Sequence, residues 1–306
     1  MLQNVCSDFR IGAYQSHEVV PLGYEDFNLA VTTDTGKYFV KIFASFRDEE
    51  ECQRYVDIIE RALRAGVSHP KLYKSDRGFL YGTQMKDVDR LIVMEYIDGK
   101  TYYERHTNPT RDEIAVIVKQ AALINGIDLK PPFVYDHWAI TSLLREYGEK
   151  GKYLSGTDAR NIEPLVNTFR SLSLKDLPHC LVHGDITKTN TMKNRKGNIY
   201  ILDFAVANRY PRIQDLAVLL CDLFFDPDSV DDFPKTYDFV LSEYRKHVPL
   251  TPEEIQLLPV YVKFAHVMHV LLASYEKKVR GNDSPENEYF LGMGRRGLTY
   301  TSALWP

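Results

Sequence analysis

One polar loop constrains this chain more than any other stretch. Residues 183–190 read His-Gly-Asp-Ile-Thr-Lys-Thr-Asn, and a short apolar strand follows that ends at Asp203. We expect the ends of the flanking strands to gather Asp185, Asn190 and Asp203. Two carboxylates and an amide oxygen are ligands that Mg²⁺ takes beside phosphates, and one carboxylate remains to orient a hydroxyl nucleophile. The loop therefore predicts phosphoryl-transfer chemistry.

The spacing within this region resembles one family. His-Gly-Asp, an Asn five residues after the Asp and an Asp-Phe eighteen residues after it are similar to the aminoglycoside phosphotransferase and choline kinase family. Gly184 in place of the Arg of protein kinases, and Ala205 in place of the final Gly of Asp-Phe-Gly, favour the small-molecule branch. The resemblance covers roughly residues 18–275. It implies an α+β, two-lobe protein-kinase-like fold with a small antiparallel sheet lobe, carrying one helix, before a larger, mostly helical lobe.

Chain length agrees with two lobes, because 306 residues exceed what one core usually holds. We place the nucleotide-binding lobe at residues 1–94, a hinge at 95–99 and the helical lobe at 100–306. The helical lobe is expected to carry the catalytic loop, the metal-binding loop and the substrate pocket.

Composition excludes several partners. A formal net charge of -4 without a Lys/Arg block disfavours nucleic acid, and no uninterrupted apolar run suits a leader or a membrane span. The four cysteines lack metal-ligand spacing and are expected to be reduced thiols. We therefore expect a cytoplasmic enzyme, monomeric or homodimeric, that acts on a small molecule.

The first lobe begins with alternating segments from Glu18 that predict a three-strand meander. The resemblance implies that the turn around Gly23 covers the nucleotide phosphates and that Lys41, on the third strand, binds them. The loop departs from the Gly-rich pattern of protein kinases, since Gly23 is its one glycine. Its apolar neighbours point the opposite way along a strand, so Lys41 is expected to face a cleft.

An amphipathic helix is predicted over residues 48–65, ending at Gly66. The resemblance implies that a Glu of this helix pairs with Lys41, and Glu51, one turn before Tyr55 on the apolar stripe, is our choice. An alternative is that the expected position falls closer to Tyr55, which would leave the chain without this Glu.

The resemblance also implies an adenine-binding hinge that uses backbone groups at about Glu95 to Ile97. Beyond it, helical periodicity predicts helices over residues 111–125, 140–147 and 162–172, the first capped by Thr110.

Specific roles follow from the resemblance. Asp185 would accept or orient the proton of the acceptor hydroxyl, Asn190 and Asp203 would hold Mg²⁺, and Lys41 would neutralise charge on the phosphates of ATP. Lys188 could reach the γ-phosphate or be a solvated loop lysine. Asp215 is expected to cap a helix and brace the catalytic loop.

The acceptor is left open by the sequence. An acidic cluster after Cys221 could receive a cationic amino group or be a solvated loop. Arg295 and Arg296 could serve a substrate that bears a carboxylate, such as homoserine. The sequence thus predicts an ATP- and Mg²⁺-dependent phosphotransferase acting on an amino alcohol, amino sugar, sugar or hydroxy amino acid. The acidic cluster comprises Asp222, Asp226, Asp228, Asp231 and Asp232.

Three alternatives compete with this prediction. A protein kinase would need a peptide-docking segment after Asp203, yet only about a dozen residues separate Asp203 from Asp215. A non-catalytic nucleotide-binding regulator would fit if the Glu partner of Lys41 were missing. A drug-modifying aminoglycoside kinase is a narrower form of the same chemistry.

Overall fold

A computed structural model describes residues 1–20, 26–83 and 89–306 of the chain. It divides into two compact units. The first unit comprises Met1–Lys100 and Lys193–Ala205, and the second comprises Thr101–Met192 and Val206–Pro306. Asp203 belongs to the first unit, whereas the sequence-based division placed it in the helical lobe.

The first unit is built on an antiparallel sheet of five strands in the order β1-β2-β3-β5-β4. The meander predicted from alternation is its first three strands, with Val40 opposite Leu29 and Val93 on the two neighbouring strands. Apolar residues of one face, including Val31 and Leu91, form a buried core together with the first helix. The elements are α1 (Leu2–Asp8), β1 (Tyr14–Val20), β2 (Phe27–Thr33), β3 (Lys37–Ile42), α2 (Glu49–Arg64), β4 (Tyr81–Gly82) and β5 (Arg90–Glu95).

Helix α2 follows the predicted amphipathic segment closely. Asp48 caps it by accepting a hydrogen bond from the Glu51 N–H. The acidic residues of the first turn stabilise the helix because they lie at the positive end of its dipole. The buried stripe includes Cys52, Tyr55 and Ile59. The helix ends before Gly66, whose φ of +84° is a backbone conformation that glycine adopts without a Cβ clash.

The second unit is mostly helical. Thr110 and Glu113 form the capping box that begins α4, as the cap prediction required. The helix predicted over 140–147 is a 3₁₀ turn followed by α5, and the one predicted over 162–172 begins earlier, at the cap Ser155. The helices are α3 (Tyr102–Arg105), α4 (Arg111–Asn125), α5 (Leu143–Lys150), α6 (Gly156–Ser171), α7 (Ile213–Val218), α8 (Phe233–Arg245), α9 (Pro252–Arg280) and α10 (Pro285–Leu304).

Helix α9 is the core helix of this unit. It is long and apolar enough to span a membrane by length and composition, yet 72% of its most apolar stretch is buried within the protein. It packs chiefly against α10 and α7. Burial of this kind is the environment expected of the central helix of a globular unit.

Short strands frame the polar loop. Strand β7 pairs antiparallel with β10, with Val182 opposite Asn208. Three further strands form a small sheet in the order β6-β8-β9. The loop 183–190 therefore leaves one short strand and enters another. The strands are β6 (Gly99–Thr101), β7 (His179–Val182), β8 (Thr191–Asn194), β9 (Ile199–Ile201) and β10 (Asn208–Pro211).

Candidate active site

Lys41 lies near the middle of the sheet of the first unit, and its side chain is only 7% exposed. Its Nζ is 3.0 Å from Asp26 Oδ2 and 3.2 Å from Asp203 Oδ2. Burial by itself would lower the pKa of Lys41, but the negative charges of Asp203 and Asp26 outweigh it and raise the pKa above the ordinary value. The structure thus presents a buried ammonium, charged at any physiological pH, between two carboxylates.

Asp203 follows strand β9 in a left-handed backbone conformation with φ of +61°. This region is uncommon for residues other than glycine, although Asp and Asn tolerate it better than most. Asp203 Oδ1 accepts a hydrogen bond from the Ala205 N–H, and Arg54 donates to the Ala205 carbonyl at 3.1 Å. The next residue, Phe204, is fully buried with its ring beside His69. The segment that carries Asp203 is therefore fixed on both sides, while the Asp203 side chain itself stays 34% exposed.

The predicted partner of Lys41 has to be corrected. Among the described residues Lys41 forms its ion pairs with Asp26 and Asp203, and Glu51 has no part in them. Glu51 belongs to the first turn of α2, and Tyr55 comes one turn later with its ring centroid 5.2 Å from Lys41 Nζ. Position 55 is therefore the place on the helix that faces Lys41, which is the alternative that the sequence left open.

Two further nucleotide predictions concern the backbone. Gly23 falls outside the described residues. The Glu95 N–H donates to the Lys71 carbonyl at 2.8 Å, so this donor is already used within the first unit. Glu95 pairs with Tyr38 at the end of the β3–β5 ladder, and Ile97 lies two residues past that end. The adenine contacts stay a prediction.

The polar loop of the second unit brings Asp185 and Asn190 together. Asn190 Nδ2 donates to Asp185 Oδ2 at 2.6 Å and to the Asp185 carbonyl at 3.2 Å. Since a carboxylate only accepts, the amide nitrogen must face it, and Asn190 Oδ1 is the atom left to accept or to ligate a cation. The Asp185 N–H donates to His183 Nδ1, and Gly184 has φ of +83°. The side chains of Asp185 and Asn190 are both half-buried.

Asp215 holds this loop from beneath. Its Oδ2 accepts from Asn125 Nδ2 at 2.7 Å and from the His183 N–H at 3.1 Å, and its Oδ1 accepts from the Gly184 N–H at 2.9 Å. Burial raises the pKa of Asp215 to about 6, and these donors oppose the rise only in part. The bracing role is as predicted, but the capping role is wrong, because Arg212 occupies the N-cap of α7 and Asp215 lies inside the helix.

Lys188 is buried rather than solvated. Burial lowers its pKa, and the negative charges of Asp222, Asp226 and Asp228 oppose that shift only in part. Its N–H donates to Asp222 Oδ1, while Asp222 Oδ2 accepts from the Tyr289 hydroxyl. Lys188 is thus a desolvated ammonium of the second unit, a group suited to bind an anion.

The acidic cluster proves to be two different features. Asp222 is fully buried and bonded to the loop, whereas Asp228, Asp231 and Asp232 are exposed. The solvated reading therefore holds for most of the cluster. Arg295, considered for a carboxylate substrate, instead forms a bidentate pair with Asp158.

Cys221, His266 and His269 form a polar cluster in the core of the second unit, which the spacing of the cysteines did not predict. Cys221 Sγ lies 3.2 Å from His266 Nδ1 and 3.6 Å from His269 Nδ1. Burial lowers the pKa of both histidines, which favours the neutral form of both rings. The three atoms are close enough together to share a metal ion, but each already has a hydrogen-bond partner within the cluster.

Sequence reasoning missed one residue in each unit: Asp26, which pairs with Lys41 in the first, and Asn125, which donates to Asp215 in the second. Asp26 and Asn125 belong to no motif, lying 15 residues before Lys41 and 60 residues before Asp185. A hydrophilic residue in an otherwise apolar pattern was the one available signal, as with Asn125 at the end of helix α4.

Comparison with known proteins agrees with this geometry. A model of the phosphotransferase enzyme family matches residues 16–247, and the chain belongs to that family. A homoserine kinase of Parvibaculum lavamentivorans is 22% identical over 277 residues, which cover 90% of this chain and 85% of the relative.

Solved structures show the fold. A microcompartment-associated aminopropanol kinase superposes with a TM-score of 0.72 at 15% identity, covering 98% of this chain and 95% of that one. A spectinomycin phosphotransferase in complex with ADP and spectinomycin gives 0.69 at 15% identity, covering 98% and 97%. The predicted protein-kinase-like fold and the class, a phosphotransferase of small-molecule hydroxyls, are confirmed.

Proposed function

We propose that this chain is an ATP- and Mg²⁺-dependent kinase of a small hydroxy compound that carries an amino group, of the amino alcohol or hydroxy amino acid type. The observation that carries the proposal is the pairing of Asp185 with Asn190 at 2.6 Å on a loop held by buried bonds to Asp215. A half-buried carboxylate in this setting is suited to accept the proton of an acceptor hydroxyl.

The other assigned residues have chemistry that fits ATP. Asn190 Oδ1 and the Asp203 carboxylate are hard oxygen donors of the kind Mg²⁺ takes, and Mg²⁺ would supply charge neutralisation at the phosphates. Lys41 would bind phosphate oxygens as a fixed positive charge, and Lys188 is proposed to assist at the γ-phosphate. Adenine would bind to the backbone at 95–97, and Gly23 is proposed to adjoin the phosphates.

The choice of acceptor class rests on the relatives. The relatives similar in sequence include homoserine kinases, and the structural neighbours include an aminopropanol kinase and a choline kinase. Their acceptors are small amines that bear a hydroxyl. Because Arg295 is already paired with Asp158, we favour recognition of the amino group over recognition of a carboxylate by this arginine. We further propose that the enzyme acts in the cytoplasm, as a monomer or homodimer, without nucleic acid or membrane as a partner.

The test is ADP release with Mg·ATP against homoserine, serine, threonine, ethanolamine, 1-amino-2-propanol, choline and spectinomycin. Turnover on one compound should fall about a hundred- to a thousand-fold in Asp185→Ala, the usual cost of a lost preorganised contact. The matched control is Asp176→Ala, an exposed aspartate of the same unit, which should keep full activity. ATP binding without turnover on any acceptor would instead favour the regulator alternative, for which the missing helix Glu is the one specific observation.

A further inference from the structure

The ammonium of Lys41 is held by a residue from outside helix α2. Asp26 directly precedes strand β2, and its carboxylate is 5% exposed. Asp26 Oδ2 lies 3.0 Å from Lys41 Nζ, whereas Oδ1 accepts from the Ala44 N–H at 3.0 Å and from Arg47 Nε at 3.2 Å. Three donors from separate residues therefore fix both oxygens of a buried carboxylate.

Helix α2 cannot supply the charge that Asp26 supplies. Tyr55 faces Lys41, and burial raises the pKa of this phenol, so it stays neutral. Asp57 accepts from Gln53 on the exposed side of the helix. The remaining acids of the helix point elsewhere as well. They are Glu49 and Glu50, both exposed, Glu51 in the first turn, and Glu60, which pairs with Arg64.

Asp203 cannot be the lasting anchor of Lys41 if it serves as a metal ligand. A carboxylate bound to a divalent cation has less negative charge to offer an ammonium. The side chain of Asp203 is one-third exposed, which leaves it accessible to such a cation. Asp26 has no such second task, since its other contacts are internal to the first unit.

We propose that Asp26 is the positioning residue that holds Lys41 in place for the nucleotide phosphates. It takes the task expected of a glutamate on helix α2, where Tyr55 occupies the position that faces Lys41. This inference rests on the proposed function. It assigns a task in nucleotide binding to a loop aspartate, and it explains how an active phosphotransferase can do without a glutamate of this helix paired with Lys41.

The first test is Asp26→Asn, which keeps the shape and removes the charge. We expect kcat/KM for Mg·ATP to fall at least about ten-fold, and Mg·ATP binding measured by calorimetry, which needs no acceptor, to weaken in parallel. The same change made in a Lys41→Met background should cause no further loss, because the partner is already gone. Asp34→Asn, an exposed aspartate that accepts the Ala13 N–H in the same unit, is the matched control and should bind Mg·ATP as the wild type does.

The second test places a carboxylate on helix α2 in exchange for that of Asp26. Tyr55→Glu added to Asp26→Asn should recover most of the lost Mg·ATP affinity, whereas Tyr55→Gln added to it should not. The neutral glutamine controls for the loss of the Tyr55 ring, which packs edge-on against Phe43. If Asp26→Asn does not fold by circular dichroism, Asp26→Glu takes its place, since it displaces the charge by one methylene and should show the same dependence on Lys41.

Three outcomes bear against the inference. An Asp26→Asn effect that persists undiminished in Lys41→Met would mean a structural role only, and unchanged Mg·ATP binding in folded Asp26→Asn would remove any role. Both leave the proposed function standing. A wild-type chain that does not bind Mg·ATP at all would overturn the proposed function, and this inference with it.

Discussion

Replacing Asp215 by asparagine should make this protein more stable at alkaline pH and less active at the same time. Asp215 is fully buried and accepts three hydrogen bonds, from the backbone of His183 and Gly184 and from Asn125. An asparagine can accept two of them with its single oxygen on the Oδ2 side. Its amide nitrogen then faces the Gly184 N–H, and this one bond is lost.

The magnitude follows from the pKa of Asp215. The ordinary value is 3.8 and burial raises it to about 6, so the native state binds more protons than the unfolded state between these values. The contribution of Asp215 to wild-type stability therefore falls as pH rises through that window, by about 3 kcal/mol for a shift of this size. Asparagine avoids this cost but loses a bond worth about 1 to 3 kcal/mol. We expect Asp215→Asn to be about 0 to 2 kcal/mol more stable than the wild type at pH 8.

Activity should move the other way. The lost bond is the one that fixes the backbone at Gly184, next to the proposed base Asp185. A small displacement of a catalytic group is enough for a large loss, so we expect kcat to fall about 10- to 100-fold. Urea unfolding at pH 4 and at pH 8 and ADP release at pH 8 measure both quantities. Asp176→Asn is the control for a change of surface charge.

The pH dependence of the unfolding free energies decides whether burial disfavours the charged form of Asp215. The difference in unfolding free energy between variant and wild type should shift by about 2.5 kcal/mol in favour of the variant from pH 4 to pH 8, because the unfolded carboxyl is already partly ionised at pH 4. A difference that is independent of pH, or one that moves against the variant as pH rises, would show that the charged carboxylate is not the disfavoured form in the folded protein.

Two further predictions concern buried polar groups. Gln214 is fully buried and neither amide atom has a hydrogen-bond partner among the described residues, so Gln214→Met should raise the unfolding free energy by about 1 to 2 kcal/mol in urea titrations; a loss of stability would contradict this. Burial lowers the pKa of His69 to about 4, so the unfolded chain binds this proton first as pH falls. The contribution of His69 to stability should therefore drop by about 3 kcal/mol between pH 6.5 and pH 4, opposite in sign to that of Asp215. In His69→Gln this component should be absent, and an equal pH dependence in both proteins would exclude it.

The fold could be predicted in large part because its patterns are local. Alternation around Lys41 gave the antiparallel meander, and the apolar stripe after Asp48 gave helix α2 within one residue at each end. The predicted helix boundaries were wrong where the helix type changes, as at the 3₁₀ turn Ile140–Ser142, or where a cap begins the helix earlier. Periodicity does not register either event.

The motifs pointed to two pairs of residues that the structure places in contact. Asp185 is hydrogen-bonded to Asn190 in the second unit, and Lys41 is ion-paired with Asp203 in the first unit. The roles of these four residues stay predictions. The partner of Lys41 was not predictable, because the periodic stripe of α2 includes both position 51 and position 55. Which of two positions one turn apart faces a strand residue depends on how the helix packs on the sheet, and the sequence does not encode that packing in any local pattern.

Tyr55, not a glutamate, is the residue of helix α2 that faces Lys41. Phosphoryl transfer is assisted mainly by position and charge, so the role proposed for Lys41 requires a fixed ammonium, whichever residue fixes it. A motif search that finds Tyr55 where a glutamate is expected would favour a protein without activity. The buried carboxylate of Asp26, at 3.0 Å from the same ammonium, meets the physical requirement from another part of the sheet. Absence of a motif residue therefore argues against catalysis only when no other group of suitable charge is in its place, and in this protein we propose that Asp26 is that group.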